Sequence, residues 1–94
     1  MHRDADVALA AKRITAGGYG YSGQTCISVQ RVYVHQDVAD EFLDAFQAQV
    51  SELVVGDPAD DATNVSALID SDETNRVAGA VTEAIAEGAT AVIG

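Results

Sequence analysis

Between Asp37 and Leu53 the apolar residues Val38, Phe42, Ala45, Phe46, Val50 and Leu53 recur mostly at spacings of three and four. That period gathers them into one stripe along an α-helix. The stripe holds both phenylalanines of the chain, so it constrains the fold more than any other segment: whatever else forms has to cover it. Asp37 stands where an N-cap belongs, and Asp40 and Glu41 put negative charge in the first turn, where the helix dipole favours it. Gly56-Asp57-Pro58 marks a turn beyond the helix, because proline disfavours helical backbone in the residue before it.

Three further segments carry a period. Val7, Ala10, Ala11 and Ile14 share one face of a helix expected over Asp4–Ala16, which Gly17-Gly18 should end. Val29 to His35 alternates in a run rich in β-branched residues and reads as a strand. Asp70 or Ser71 can cap a last helix, with Glu73 placed as in a capping box. Arg76, Val77, Ala80, Val81, Ala84 and Ile85 continue that helix, and Gly88 should stop it. Thr90 to Ile93 reads as a second short strand, and Asp60 to Ile69 as a loop with a brief extended piece. A strand, a helical crossover and a strand imply a parallel pair. The expected fold class is therefore α/β, with three helices packed on a small parallel sheet.

At 94 residues this is one small domain at most, burying roughly 60–65% of its unfolded surface. The formal charge is −10, with Lys12 the only lysine. Such a balance speaks against nucleic acid and anionic membranes as partners. The acids are spread along the chain, which fits a solvated surface; a source with high internal salt is the sharper alternative. One cysteine allows no internal disulfide, and a reducing compartment is the default. No apolar run approaches the ~18–20 residues needed to cross a bilayer. The opening Met1-His2-Arg3-Asp4 lacks the apolar stretch of a secretory leader. A soluble cytoplasmic protein is expected.

Few residues could carry chemistry. A single cysteine is usually a small buried hydrophobe, yet Cys26 follows the Gly-, Tyr- and Ser-rich loop Gly17–Thr25 and precedes an extended run. Such loops often present reactive groups. Gly17, Gly18 and Gly20 follow a helix, whereas the glycines of a dinucleotide fingerprint follow a strand and open a helix. His2 is expected in a frayed terminus and His35 at a surface or capping position. Neither makes metal-ligand spacing with Cys26. Arg31 is expected in a buried strand, anchoring hydrogen bonds near the cysteine. Tyr19, Tyr21 and Tyr33 are expected to pack, and Glu41 and Glu73 to face water.

Gly23-Gln24-Thr25-Cys26-Ile27-Ser28 resembles the Gly-Gln-x-Cys segment of the NAD(P)-dependent aldehyde dehydrogenase family. The match continues through Arg31-Val32-Tyr33-Val34-His35, Asp37–Phe42 and Val55-Gly56-Asp57-Pro58, and Asp4-Ala5-Asp6 resembles the opening of the family's preceding helix. Gly-Gln-x-Cys alone is a weak signal; five anchors in order along nearly the whole chain are a strong one. The chain departs from the pattern at Tyr21, where the family often has Asn, and at Ser66-Ala67, where it often has Gly-Pro.

The resemblance implies a partial aldehyde dehydrogenase catalytic domain over residues 1–94, without the cofactor-binding domain. It implies that Cys26 is the catalytic nucleophile, attacking a small-molecule aldehyde to form a thiohemiacetal and then a thioester on the way to the acid. The backbone N–H of Cys26 would donate to the oxyanion, and Thr25 and Ile27 would line the substrate pocket. NAD or NADP serves the whole enzyme, and none is expected on these residues alone. The family's Glu-Leu-Gly-Gly segment, its oxyanion-hole asparagine and its ribose-contacting segment have no counterpart here, so the isolated chain is expected to be inactive. Open strand edges suggest a homo-oligomer. Two alternatives stay open: a single-cysteine redox or acyl-transfer protein, and a non-catalytic interaction module.

Overall fold

A computed structural model of the chain describes residues 1–93. Three α-helices carry it: α1, Val7–Tyr19; α2, Ala39–Ser51; and α3, Ser71–Ala86. Short 3-10 turns at Gly20–Gly23 and Gln36–Val38 follow α1 and precede α2.

The expected α/β arrangement is overturned. Among the described residues there is no strand and no sheet, only one isolated parallel bridge between Val55 and Val65. Strand character belongs to a pairing rather than to a segment, since an extended run needs a neighbour for its N–H and C=O groups. The run Val29–His35 finds none along its length. It is tied at Val29, whose N–H donates to Gly17 O (3.1 Å), and near its far end, where His35 N–H donates to Met1 O (3.0 Å) and Tyr33 O accepts from the Met1 ammonium. The expected strand Thr90–Ile93 is likewise unpaired, and Val92 O instead accepts from the Gln47 side chain on α2 (2.9 Å).

The helices start where their side chains satisfy orphan N–H groups. Asp6 caps α1 by accepting from Leu9 N–H (2.9 Å), and Asp70 caps α3 by accepting from Glu73 N–H (2.9 Å). The reciprocal half of a capping box is not made, because the Glu73 carboxylate turns to Arg76 instead (2.6 Å). Asp37 does not cap α2. His35 Nδ1 accepts from Asp37 N–H (3.2 Å) and opens the 3-10 turn ahead of the helix, so His35 is a capping residue. Helix α1 runs through Gly17 and Gly18 and ends at Gly20, beyond the expected stop. Gly88 ends α3 with φ +107, a backbone state that glycine adopts without steric cost.

Helices α1 and α2 pack on one another and make the core. Val7, Ala11 and Phe42 are buried, with Met1, Ile14, Val34, Val38, Ala45 and Phe46 partly buried around them. The Phe42 and Phe46 rings stack at 5.5 Å, and Tyr19 reaches Phe46 at 6.4 Å. The amphipathic stripe of α2 thus lies where its period put it. The N-terminus is not frayed. The Met1 ammonium donates to Tyr33 O, and His2 pairs with Asp4 (2.7 Å). Helix α3 buries nothing, and its apolar stripe of Val77, Val81 and Ile85 is exposed.

Candidate active site

The segment that bears Cys26 begins at the C-terminal end of α1. There the backbone enters the left-handed region at three consecutive residues, Tyr21 (φ 57), Ser22 (φ 55) and Gly23 (φ 72). Glycine takes such a conformation freely; tyrosine and serine take it against steric resistance of order 1 kcal/mol or more each. The reversal folds residues 21–24 back under a hydrogen bond from Gln24 N–H to Tyr21 O (3.1 Å). A second turn follows at Thr25–Ser28, closed by Ser28 N–H donating to Thr25 O (3.0 Å). Cys26 sits inside that turn.

The loop is fastened on both sides. After the cysteine, the Ser28 hydroxyl donates to Gly18 O (3.2 Å) and Val29 N–H to Gly17 O (3.1 Å), so the last carbonyls of α1 hold the outgoing chain. Helices leave just these carbonyls unsatisfied. Gly17 has a structural reason as well: a Cβ there would meet the Val29 side chain at 3.0 Å. Before the cysteine, the Ser22 hydroxyl meets the backbone of Ser66.

Cys26 is a free, exposed thiol. Thr25 and Ile27 flank it and are exposed too, Ile27 at 86%. Among the described residues, no hydrogen bond engages the Cys26 thiol or its backbone N–H. A free thiol and an uncommitted donor therefore sit on one residue in open solvent. Two cavities lie beside the loop rather than around the thiol. One of about 320 Å³ is lined by Tyr21, Ser22, Gln24, Pro58, Asn64 and Ser66. Another of about 470 Å³ lies under Gly18, Tyr19, Ser28, Val29 and Phe46.

Several expected neighbours are elsewhere. Arg31 is exposed and, among the described residues, makes no hydrogen bond, so it anchors no network at the cysteine; the strand expected to bury it does not form there. Tyr21 and Tyr33 are each 81% exposed, and only Tyr19 packs. Glu73 lies on α3 beside Arg76. That hydrogen bond, and then the guanidinium charge, hold its carboxyl below the usual value. No cluster of histidine, cysteine and carboxylate side chains suited to a metal exists among the described residues. Ser22, Ser28 and Ser66, which fix the loop, carried no signal in the sequence. A serine in left-handed backbone has no spacing rule to betray it, and only the neighbouring Gly23 hints at the reversal.

Residues 1–94 match the family described as "Aldehyde dehydrogenase family". The chain is 39% identical over 94 residues to the 3-sulfolactaldehyde dehydrogenase of Priestia aryabhattai, covering 100% of this chain and 20% of that protein. It is 46% identical over 90 residues to the NADP-dependent glyceraldehyde-3-phosphate dehydrogenase of Streptococcus equinus, covering 96% and 19%. It is 38% identical over 92 residues to the lactaldehyde dehydrogenase of Methanococcus aeolicus, covering 98% and 20%. The chain spans about a fifth of the length of these curated relatives.

Proposed function

The chain belongs to the aldehyde dehydrogenase family, and from that premise we propose that it carries the nucleophile of an enzyme that oxidises an aldehyde to its carboxylic acid with NAD or NADP. The nucleophile is Cys26. The observation that supports this reading is the turn at Thr25–Ser28, which presents the thiol and the unpaired Cys26 N–H together on the surface. The thiolate adds to the aldehyde carbon, and the carbonyl oxygen becomes an alkoxide as the C–S bond forms. The Cys26 N–H is free to donate to that oxygen, where negative charge develops. After oxidation the acyl group stays on sulfur as a thioester, which water cleaves to release the acid and restore the thiol. Thr25 and Ile27, on either side, contact the substrate.

Oxidation of the adduct requires a hydride acceptor, which is NAD or NADP in the whole enzyme. The glycine cluster Gly17, Gly18 and Gly20 lies at the C-terminal end of α1, where the helix carbonyls disfavour phosphate. The hydride step is therefore not assigned to these residues. Residues 1–94 thus form part of a catalytic domain, and acting alone they lack the parts that work as a unit with the nucleophile. Our reading puts the whole enzyme in the cytoplasm as a homo-oligomer. The exposed stripe Val77, Val81 and Ile85 on α3 favours self-association of residues 1–94 on their own, because apolar faces of this kind seek cover.

The test is reduction of NAD and of NADP by the 94-residue chain across a panel of aldehydes. No turnover above background is expected. Turnover abolished by Cys26→Ser would show that the site is complete within these residues and overturn the assignment of a partial one.

A further inference from the structure

We infer that Ser22 is a positioning residue for Cys26, its hydroxyl latching the cysteine loop to the backbone of Ser66. The inference rests on the reading of Cys26 as the nucleophile and names what holds it in place. The Ser22 hydroxyl donates to Ser66 O (3.3 Å) and accepts from Ser66 N–H (3.0 Å) across 44 positions of sequence. One hydroxyl can make both bonds at once, since it carries one proton and two lone pairs. Among the described residues, no other side chain from Tyr19 to Ile27 makes a hydrogen bond. Ser22 and Tyr21 both hold left-handed backbone. Such a conformation persists in non-glycine residues only where the surroundings over-determine it. The Ser66 contact supplies that restraint.

The geometry makes the loop a span fixed at two piers. Ser22 fastens it to Ser66 before the cysteine, and Ser28 fastens it to Gly18 after it (3.2 Å). Cys26 lies between. The segment that receives the latch is itself held: Val65 N–H donates to Val54 O (3.1 Å) and Gly56 N–H to Val65 O (3.1 Å). The Asn64 side chain accepts from Val54 N–H (2.8 Å). Position is thus transmitted from the end of α2, through Val54 and Val65, to Ser66, Ser22 and the cysteine turn. Tyr21, Ser22, Ser66 and Ala67 line the cavity of about 320 Å³ beside the loop.

The experiment compares native chain, Ser22→Ala, Ser22→Gly and Ser22→Asn by residue-resolved hydrogen exchange and by alkylation of Cys26 with iodoacetamide. The Ser66 amide should exchange about five- to tenfold faster in Ser22→Ala, as expected for losing a bond of about 1 kcal/mol. The Ser28 amide, which closes the cysteine turn, should follow, while amides within α1 and α2 keep their protection. Ser22→Gly removes the hydroxyl and the backbone strain together. It should fold and show the same local loss, so the result does not depend on Ser22→Ala folding. Asparagine tolerates left-handed backbone and carries both a donor and an acceptor, so Ser22→Asn should recover part of the protection. The alkylation rate, referred to that of the urea-unfolded chain, should fall toward unity in Ser22→Ala and Ser22→Gly and recover with Ser22→Asn. Unchanged exchange at Ser66 and Ser28 in both hydroxyl-free variants would overturn the latch, as would an equal rise throughout α1 and α2. If native Cys26 alkylates no faster than in the unfolded chain while Ser66 and Ser28 respond as described, the nucleophile reading fails instead, and the positioning role falls with it.

Discussion

Replacing Phe42 with alanine should nearly unfold the chain, and the reason is how little else the core contains. Among the described residues only Val7, Ala11 and Phe42 are buried apolar residues, and Phe42 is 5% exposed. Burying a phenylalanine contributes about 1.5–3 kcal/mol relative to leaving it in water. Its ring stacks on Phe46 at 5.5 Å with 17° between planes, a geometry worth about 0.5–1.5 kcal/mol more. Truncation also leaves a cavity, and Phe→Ala in cores generally costs about 3–5 kcal/mol. The partly buried ring of residues around this core can collapse inward, so the low end, about 3 kcal/mol, applies. For a domain of this size each 1 kcal/mol moves Tm by roughly 4–8 °C. The fall should therefore be about 12–24 °C, followed by far-ultraviolet circular dichroism on heating. Leu43→Ala is the control one position along the helix, where the side chain is 38% exposed; it should cost about 1 kcal/mol or less. Equal shifts for the two variants would refute the assignment of the α1–α2 contact as the core.

Other outcomes follow from single contacts. Thr15 is buried on α1 and its hydroxyl has no partner among the described residues; Thr15→Val removes that unsatisfied group and should raise stability by about 1 kcal/mol in urea titration. Asp6→Ala deletes the bond that caps α1 at Leu9 N–H and should cost about 1 kcal/mol by the same measurement. Arg76 lowers the folded pKa of Glu73 below its ordinary 4.5, first through the hydrogen bond and then through charge. A depressed carboxylate contributes stability above its unfolded pKa and loses it as pH falls through the folded value. Helicity of α3 should accordingly decline below about pH 4.5, modestly because both side chains stand largely in water, and Glu73→Gln or high salt should erase that pH dependence.

How much was legible depended on whether an element needs a distant partner. The stripe of α2, a cap of α3 at Asp70 or Ser71 and the Gly88 stop are local facts, and local spacing found them, the structure choosing Asp70 as the cap. The strands Val29–His35 and Thr90–Ile93 failed because alternation shows only that a segment could pair, and nothing in it says whether a partner lies beside it. The same gap misplaced Arg31, whose burial was inferred from a strand that does not form. Helix α3 shows the converse. Its apolar period is real and its helix forms, yet Val77, Val81 and Ile85 remain exposed because no other element covers them. Cys26 was visible through ordered motifs around it. The serine contacts that hold its loop join residues ten and 44 positions apart, and no motif connects such pairs.

The most direct test of the central claim is 13C NMR of the chain with a 13C-carbonyl-labelled aldehyde, reading the thiohemiacetal formed at Cys26. Every thiol forms some adduct, so the informative quantity is the excess over the same chain unfolded in urea. One added donor, the Cys26 N–H, should favour the adduct by about 0.5–1 kcal/mol in this exposed setting, a population ratio of about two- to fivefold. The account predicts that excess in the native chain and no adduct signal in Cys26→Ser. Equal adduct in native and unfolded chains would contradict it, leaving Cys26 an ordinary surface thiol.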